Sequence, residues 1–277
     1  MRAKPAMAVF LKSPKDMATT RKAAKGTDCP AIACRECGFY KIGLSMGLDS
    51  PDTALVDRYI KKRRMFKRGD VLYRSGEPFS HVYAIRSGSI KTYISTDDGR
   101  LQITGFHVAG ELLGLSALDE DRHSCEAVAL EATSVCEVSA DCFKELAQTK
   151  PSVHYQMLKV MSKEIKLNQQ LMLLLGKKSA EERLATFLLS LSRRFAMRNY
   201  SPTQFNLSMS RSDIGDYLGI AEETVCRLFT RFQEDGVITS ERRNIVLNDL
   251  GRLSAIAREP YPAGAPVIPL SRPTACC

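Results

Sequence analysis

Residues 209–247, MSRSDIGDYLGIAEETVCRLFTRFQEDGVITSERRNIVL, constrain the fold more tightly than any other stretch of the chain. Ser210 and Asp213 have capping-box spacing, so a helix opens there, and Gly219 offers the left-handed residue that ends it. After a short turn at Ile220–Ala221, a second helix is predicted from about Glu222 to Glu234. Gly236 stops it, and VITSERRNIVL reads as a two-stranded hairpin. Helix, tight glycine turn, helix and β-wing make a winged helix-turn-helix. On the second helix Val225, Leu228, Phe229 and Phe232 recur on the inward face. Glu222, Glu223, Cys226, Arg227, Thr230 and Arg231 make the opposite face polar. Glu223 and Arg227 stand one turn apart. Arginine can bond guanine through two parallel hydrogen bonds and glutamate can accept from cytosine N4, although the pair could equally form a helix-surface ion pair.

Charge alone does not make the case for nucleic acid. The net charge is +9, but residues 1–28 supply +5 of it (seven Lys/Arg against two acids), whereas residues 178–260 carry twelve against eleven. A DNA-binding assignment therefore rests on the motif.

A long helix precedes this module. Between Ser152 and Lys177 neither Gly nor Pro occurs before Gly176. Leu158, Met161, Ile165, Asn168, Met172 and Leu175 step by three and four, the period of a coiled-coil seam with one polar residue in the middle. A helix packed on its own domain is the alternative. The seam points to a homodimer, since a polar residue there fixes register at some loss of stability.

Upstream, short β-like runs lie between glycines at 69, 76, 88, 99, 105, 110 and 114. In SIKTYIS, Ile90, Thr92 and Ile94 alternate with Lys91 and Tyr93, a half-buried strand, and DDGR (97–100) turns a hairpin. A compact antiparallel roll follows. The fold class is α+β: a flexible basic tail (1–28), a cysteine-bearing segment (29–50), a β-roll (51–150), a dimerisation helix (151–177), a winged helix-turn-helix (178–255) and a disordered tail (256–277). No run is long enough for a signal-peptide core or a membrane span, so the chain is expected in the cytoplasm. There, nine cysteines are more readily metal-binding, redox-active or buried than paired in disulfides. Cys29, Cys34 and Cys37 fall within CPAIACREC, and their spacing alone allows a disulfide, a zinc site or an iron–sulfur cluster. The four histidines are scattered and pair with no suitable nucleophile, so nothing supports catalysis.

Roll, long helix and winged helix, in that order, resemble the CRP/FNR superfamily of bacterial transcription regulators. YAIRSGSIK (83–91), QITGFHVAGELLG (102–114), EERLATFLLSLSRRFA (181–196) and DIGDYLGIAEETVCRLFTRFQ (213–233) resemble its FNR (Anr) oxygen-sensing branch nearly residue for residue. The roll is thus cyclic-nucleotide-binding-like in fold. The resemblance implies a regulator that senses oxygen, with nitric oxide as a second candidate signal, through a [4Fe-4S] cluster bound by three N-terminal cysteines and one from the roll. Cys34, Cys37 and Cys136 fall on matching positions. The third N-terminal ligand would fall at Gly43, which cannot ligate, and Cys29 is the substitute. The alternatives are a cluster on three of these with Cys125 or an exogenous ligand, zinc on the same four thiolates, or a cluster-free regulator that is constitutive or responds to thiol redox.

The same resemblance implies double-stranded DNA with palindromic TTGAT-like half-sites and RNA polymerase as partners. The E-x-x-S-R pattern that reads the half-site is matched at Glu223, Cys226 and Arg227, with cysteine in place of serine. Asn168 stands where the branch carries an acid in the dimer helix, so dimerisation should depend less on the cluster. Cyclic nucleotide is not expected. Gly110 and Glu111 match the nucleotide-binding branch, but Glu126 and Ala127 fall where that branch has the Arg-Ser pair that grips the phosphate.

Overall fold

The computed structural model describes residues 60–149, 151–198 and 200–260. The basic tail, the segment holding Cys29, Cys34 and Cys37, and the last seventeen residues lie outside the described residues.

The roll consists of two four-stranded antiparallel sheets. One runs β1 (Ile60–Phe66), β8 (Thr133–Ser139), β3 (His81–Ser87), β6 (Leu112–Leu113); the other runs β2 (Val71–Tyr73), β7 (Glu126–Ala129), β4 (Ser89–Ser95), β5 (Leu101–Val108). Their inner faces share a core of Phe66, Tyr83, Ile85, Ile90, Ala127 and Val135, the arrangement expected where each sheet has one apolar face. The DDGR turn forms as read, with Thr96 N–H donating to the Arg100 carbonyl across it and Gly99 at φ 82°. One detail differs. Ile90 and Thr92 are buried but Ile94 is exposed, because pairing of β4 with β7 ends at Tyr93 and the hairpin tip projects beyond it.

Helix α1 (Ala140–Thr149) leads into α2 (Pro151–Lys177). Pro151 at the first helical position needs no N–H partner there. Among the expected seam residues, Leu158, Ile165 and Met172 are 49%, 58% and 73% exposed, while Met161 is half-buried. Leu175 departs from the expectation: it packs against the core of its own DNA-binding module. A straight helix drifts by about 20° per heptad relative to a 3.5-residue repeat, so the last turn of the row faces α3 (Ala180–Ala196) rather than the open side.

The module that follows is α3, β9 (Gln204–Asn206), α4 (Arg211–Leu218), α5 (Glu222–Glu234), β10 (Ile238–Glu241), β11 (Asn244–Leu247) and α6 (Leu250–Ala257). The wing has three strands rather than two, ordered β10-β11-β9, with Phe205 registered against the buried Ile245. This module and the roll are not separate bodies. Ile103, Phe106 and Leu130 of the roll belong to the same buried cluster as Leu184, Leu188, Ile214 and Phe232. The Phe106 ring lies 5.2 Å from Tyr217 and 5.8 Å from Phe187.

Candidate nucleic-acid interface and cofactor ligand

Local sequence builds the helix-turn-helix. Ser210 Oγ accepts from the Asp213 backbone N–H while the Asp213 carboxylate accepts from the Ser210 N–H, which completes the capping box. Gly219 closes α4 at φ 62°. Gly215 sets the closeness of the turn, since a Cβ there would stand 2.6 Å from the Ile220 carbonyl oxygen. Val225, Phe229 and Phe232 then anchor α5 in the core, whereas Leu228 is only half-buried.

The opposite face of α5 is bare. Glu223, Cys226 and Arg227 are all exposed. The side chains of Glu223 and Arg227, 82% and 70% exposed, meet at 4.0 Å, a geometry worth little in water. Arg227 also donates to Thr224 Oγ1 at 3.3 Å. Neither contact holds the guanidinium strongly, so it is free to exchange these partners for a base edge. Beside α5 the wing turns at Arg242, in left-handed backbone with φ 55°. The wing is braced by Asn248, whose amide donates to Thr239 Oγ1 and to the Gly236 carbonyl.

Salt bridges, beside the shared apolar cluster, tie this module to the roll. Lys91 Nζ pairs with Asp213 Oδ1 at 2.5 Å, so the acid of the α4 capping box is also held by β4. More strongly, Glu111 receives Arg194 at 2.7 Å and Arg198 at 2.6 Å, both from the region of α3. Burial opposes the Glu111 charge, but the neighbouring guanidinium of Arg194, with His107 and Arg198, pulls its carboxyl down to about 2. Burial lowers His107 as well, to about 4, so its ring is neutral at pH 7.

A cavity of about 500 Å³ lies between the roll and α2, lined by Thr92, Thr104, His107, Cys125, Glu164 and Asn168 among others. No Lys or Arg stands among the described residues that line it. Glu164 does, its carboxyl raised by burial and then by Glu111. Elsewhere, Glu126 accepts from the Tyr93 hydroxyl at 2.6 Å and pairs with Arg74 at 3.4 Å, Ala127 is fully buried, and Arg122 is turned away to the Gly76 carbonyl.

Of the expected sulfur ligands only Cys136 is described. It sits in β8, registered against Arg63 and Ala84, and is fully buried among Phe79, Val82, Val138 and Phe143. Ile60, the first described residue, pairs with Val138, two residues along β8 from Cys136. The thiolate of such a residue is a soft donor of the kind that iron–sulfur clusters and zinc take. Among the described residues no group of three or more metal-binding side chains gathers.

Comparison with known proteins agrees with this architecture. Residues 63–150 match the family described as cyclic nucleotide-binding domain, and residues 182–256 match the Crp-like helix-turn-helix domain. The chain is 46% identical over 228 residues to the transcriptional activator protein anr of Pseudomonas aeruginosa, covering 82% of this chain and 93% of that one. It is 40% identical over 227 residues to the fumarate and nitrate reduction regulatory protein of Escherichia coli, with 82% and 91% covered. The structure of FixK2 from Bradyrhizobium japonicum superposes with a TM-score of 0.66 at 33% identity, covering 73% of this chain and 98% of that one. Proteins built this way are regulators rather than enzymes, binding DNA as dimers through the helix-turn-helix. The chain belongs to the CRP/FNR family of transcription regulators, in its FNR/Anr-type branch.

Proposed function

We propose that this regulator is a cytoplasmic, oxygen-responsive transcription activator that holds a [4Fe-4S] cluster through Cys29, Cys34, Cys37 and Cys136. The observation that carries the reading is the position of Cys136, fully buried in β8 two residues from Val138, which pairs with Ile60 where the described chain begins. The names of its relatives, an activator and a fumarate and nitrate reduction regulator, support the same direction. When bound, such a group supplies an iron–sulfur centre whose stability depends on oxygen. Cys29 takes the place of the ligand that Gly43 cannot provide.

The chain's own residues supply the rest. Leu158, Ile165 and Met172 offer an exposed apolar stripe for the partner's α2. Glu223 and Arg227 read TTGAT-like half-sites, and the DNA-bound dimer engages RNA polymerase. Cyclic nucleotide is not the effector. Among the described residues, the cavity between roll and α2 offers a carboxyl and a neutral histidine, and no Lys or Arg, to a cyclic phosphate.

Binding of a TTGAT palindrome and of random duplex by the Arg227→Ala protein, measured without air, tests the reading. The specific complex should weaken by about 1–3 kcal/mol, the scale of one paired base contact, while random-duplex binding holds, since phosphate contacts carry it. Equal losses on both duplexes would show that Arg227 touches only the backbone.

A further inference from the structure

Arg211 is the first residue of α4, at the positive end of a helix dipole that disfavours a cation. It is also partly desolvated, and burial lowers the proton affinity of its guanidinium. A charge kept in place against both effects must have compensating contacts. The guanidinium carbon lies 3.3 Å over the centre of the Phe229 ring, and Nη2 donates to Ser240 Oγ at 3.0 Å. Phe229 belongs to α5, one turn beyond Cys226 on the adjoining face, and Ser240 belongs to β10 of the wing. One planar group of α4 therefore touches both α5 and the wing.

We propose that Arg211 is a positioning residue for base readout, whose stacked guanidinium fixes the recognition helix α5 against the wing. The role needs the flat, forked group. Lysine would keep the charge but could neither lie parallel on the ring nor span ring and hydroxyl together. An arginine that merely met a phosphate would behave differently, because lysine serves that purpose and sequence is irrelevant to it. The proposal rests on α5 being the base-reading helix.

The test uses the full-length protein prepared without air, a TTGAT palindrome and a random duplex of equal length, across a series of KCl concentrations. Arg211→Lys should lower the specific-to-random affinity ratio about tenfold, the scale of one weakened base contact, with the slope of log affinity against log salt unchanged. Ser240→Ala, which removes only the half-buried hydrogen bond from Arg211, should lower the same ratio by about two- to threefold. Wild-type ratios in both variants would overturn the proposal. So would a ratio rescued by lysine together with a salt slope that falls by about one in Arg211→Ala, which marks a phosphate contact. Arg227→Ala, run alongside, separates the two levels. A normal ratio in that variant sinks the assignment of α5, whereas a lowered ratio there with wild-type behaviour in Arg211→Lys and Ser240→Ala sinks the positioning role alone.

Discussion

Replacing Glu111 by glutamine removes the charge at the centre of the tie between roll and DNA-binding module. Its carboxylate bonds Arg194 at 2.7 Å and Arg198 at 2.6 Å and accepts the Val108 backbone N–H at 3.1 Å. All three charged side chains are at most 20% exposed, so solvent screens them little. Lowering the carboxyl from its ordinary 4.5 to about 2 corresponds, at about 1.4 kcal/mol per pH unit, to roughly 3 kcal/mol of native-state stability. The sign follows from the depressed folded-state value. The contribution is complete above pH 4.5, falls away as pH drops through the window from 4.5 to about 2, and is absent below it. Urea unfolding followed by far-UV circular dichroism, on wild type and Glu111→Gln at a series of pH values, reads it directly. Wild type should exceed the variant by about 3 kcal/mol at pH 7, and the gap should shrink steadily below pH 4.5. A gap under about 1 kcal/mol at pH 7, or one that stays constant between pH 5 and pH 3, would refute the reasoning.

Two further substitutions probe other parts of the molecule. Gly215→Ala pushes a methyl group to 2.6 Å from the Ile220 carbonyl oxygen. It should cost about 1–3 kcal/mol in thermal unfolding and weaken DNA binding, and unchanged values of both would show that the turn relaxes freely. Ile165→Glu places a charge in the middle of the exposed stripe of α2, where the side chain is 58% exposed. Sedimentation should show a folded monomer, and an intact dimer would remove this face from the interface.

What could be read in the sequence follows the range of the interactions. Ser210, Asp213 and Gly219 act on backbone within one turn of themselves, so both ends of α4 were legible, as were the span of α5 and the β-turn at DDGR. Partners far apart in sequence were not. Glu111 and Arg194 stand 83 residues apart and Lys91 and Asp213 stand 122 apart, and no periodicity announces either tie. The third wing strand, Gln204–Asn206, is three residues long and has no pattern of its own. Heptad spacing puts Leu175 in the seam because it records a stripe but not which body covers it. Arg211 escaped notice for a related reason. At N1 of a helix it looks like a solvent-exposed cation, and only the folded chain shows the Phe229 ring beneath it. Of the four proposed sulfur ligands, Cys136 is marked by resemblance, and the structure adds its burial in β8.

The central claim is that the four cysteines hold a cluster. Iron and acid-labile sulfide determined on the wild-type protein purified without air, with its absorption spectrum before and after exposure to air, test it most directly. The account predicts brown protein with about four irons and four sulfides per chain that bleaches in air. Colourless anaerobic protein carrying stoichiometric zinc, or no metal at all, would contradict it.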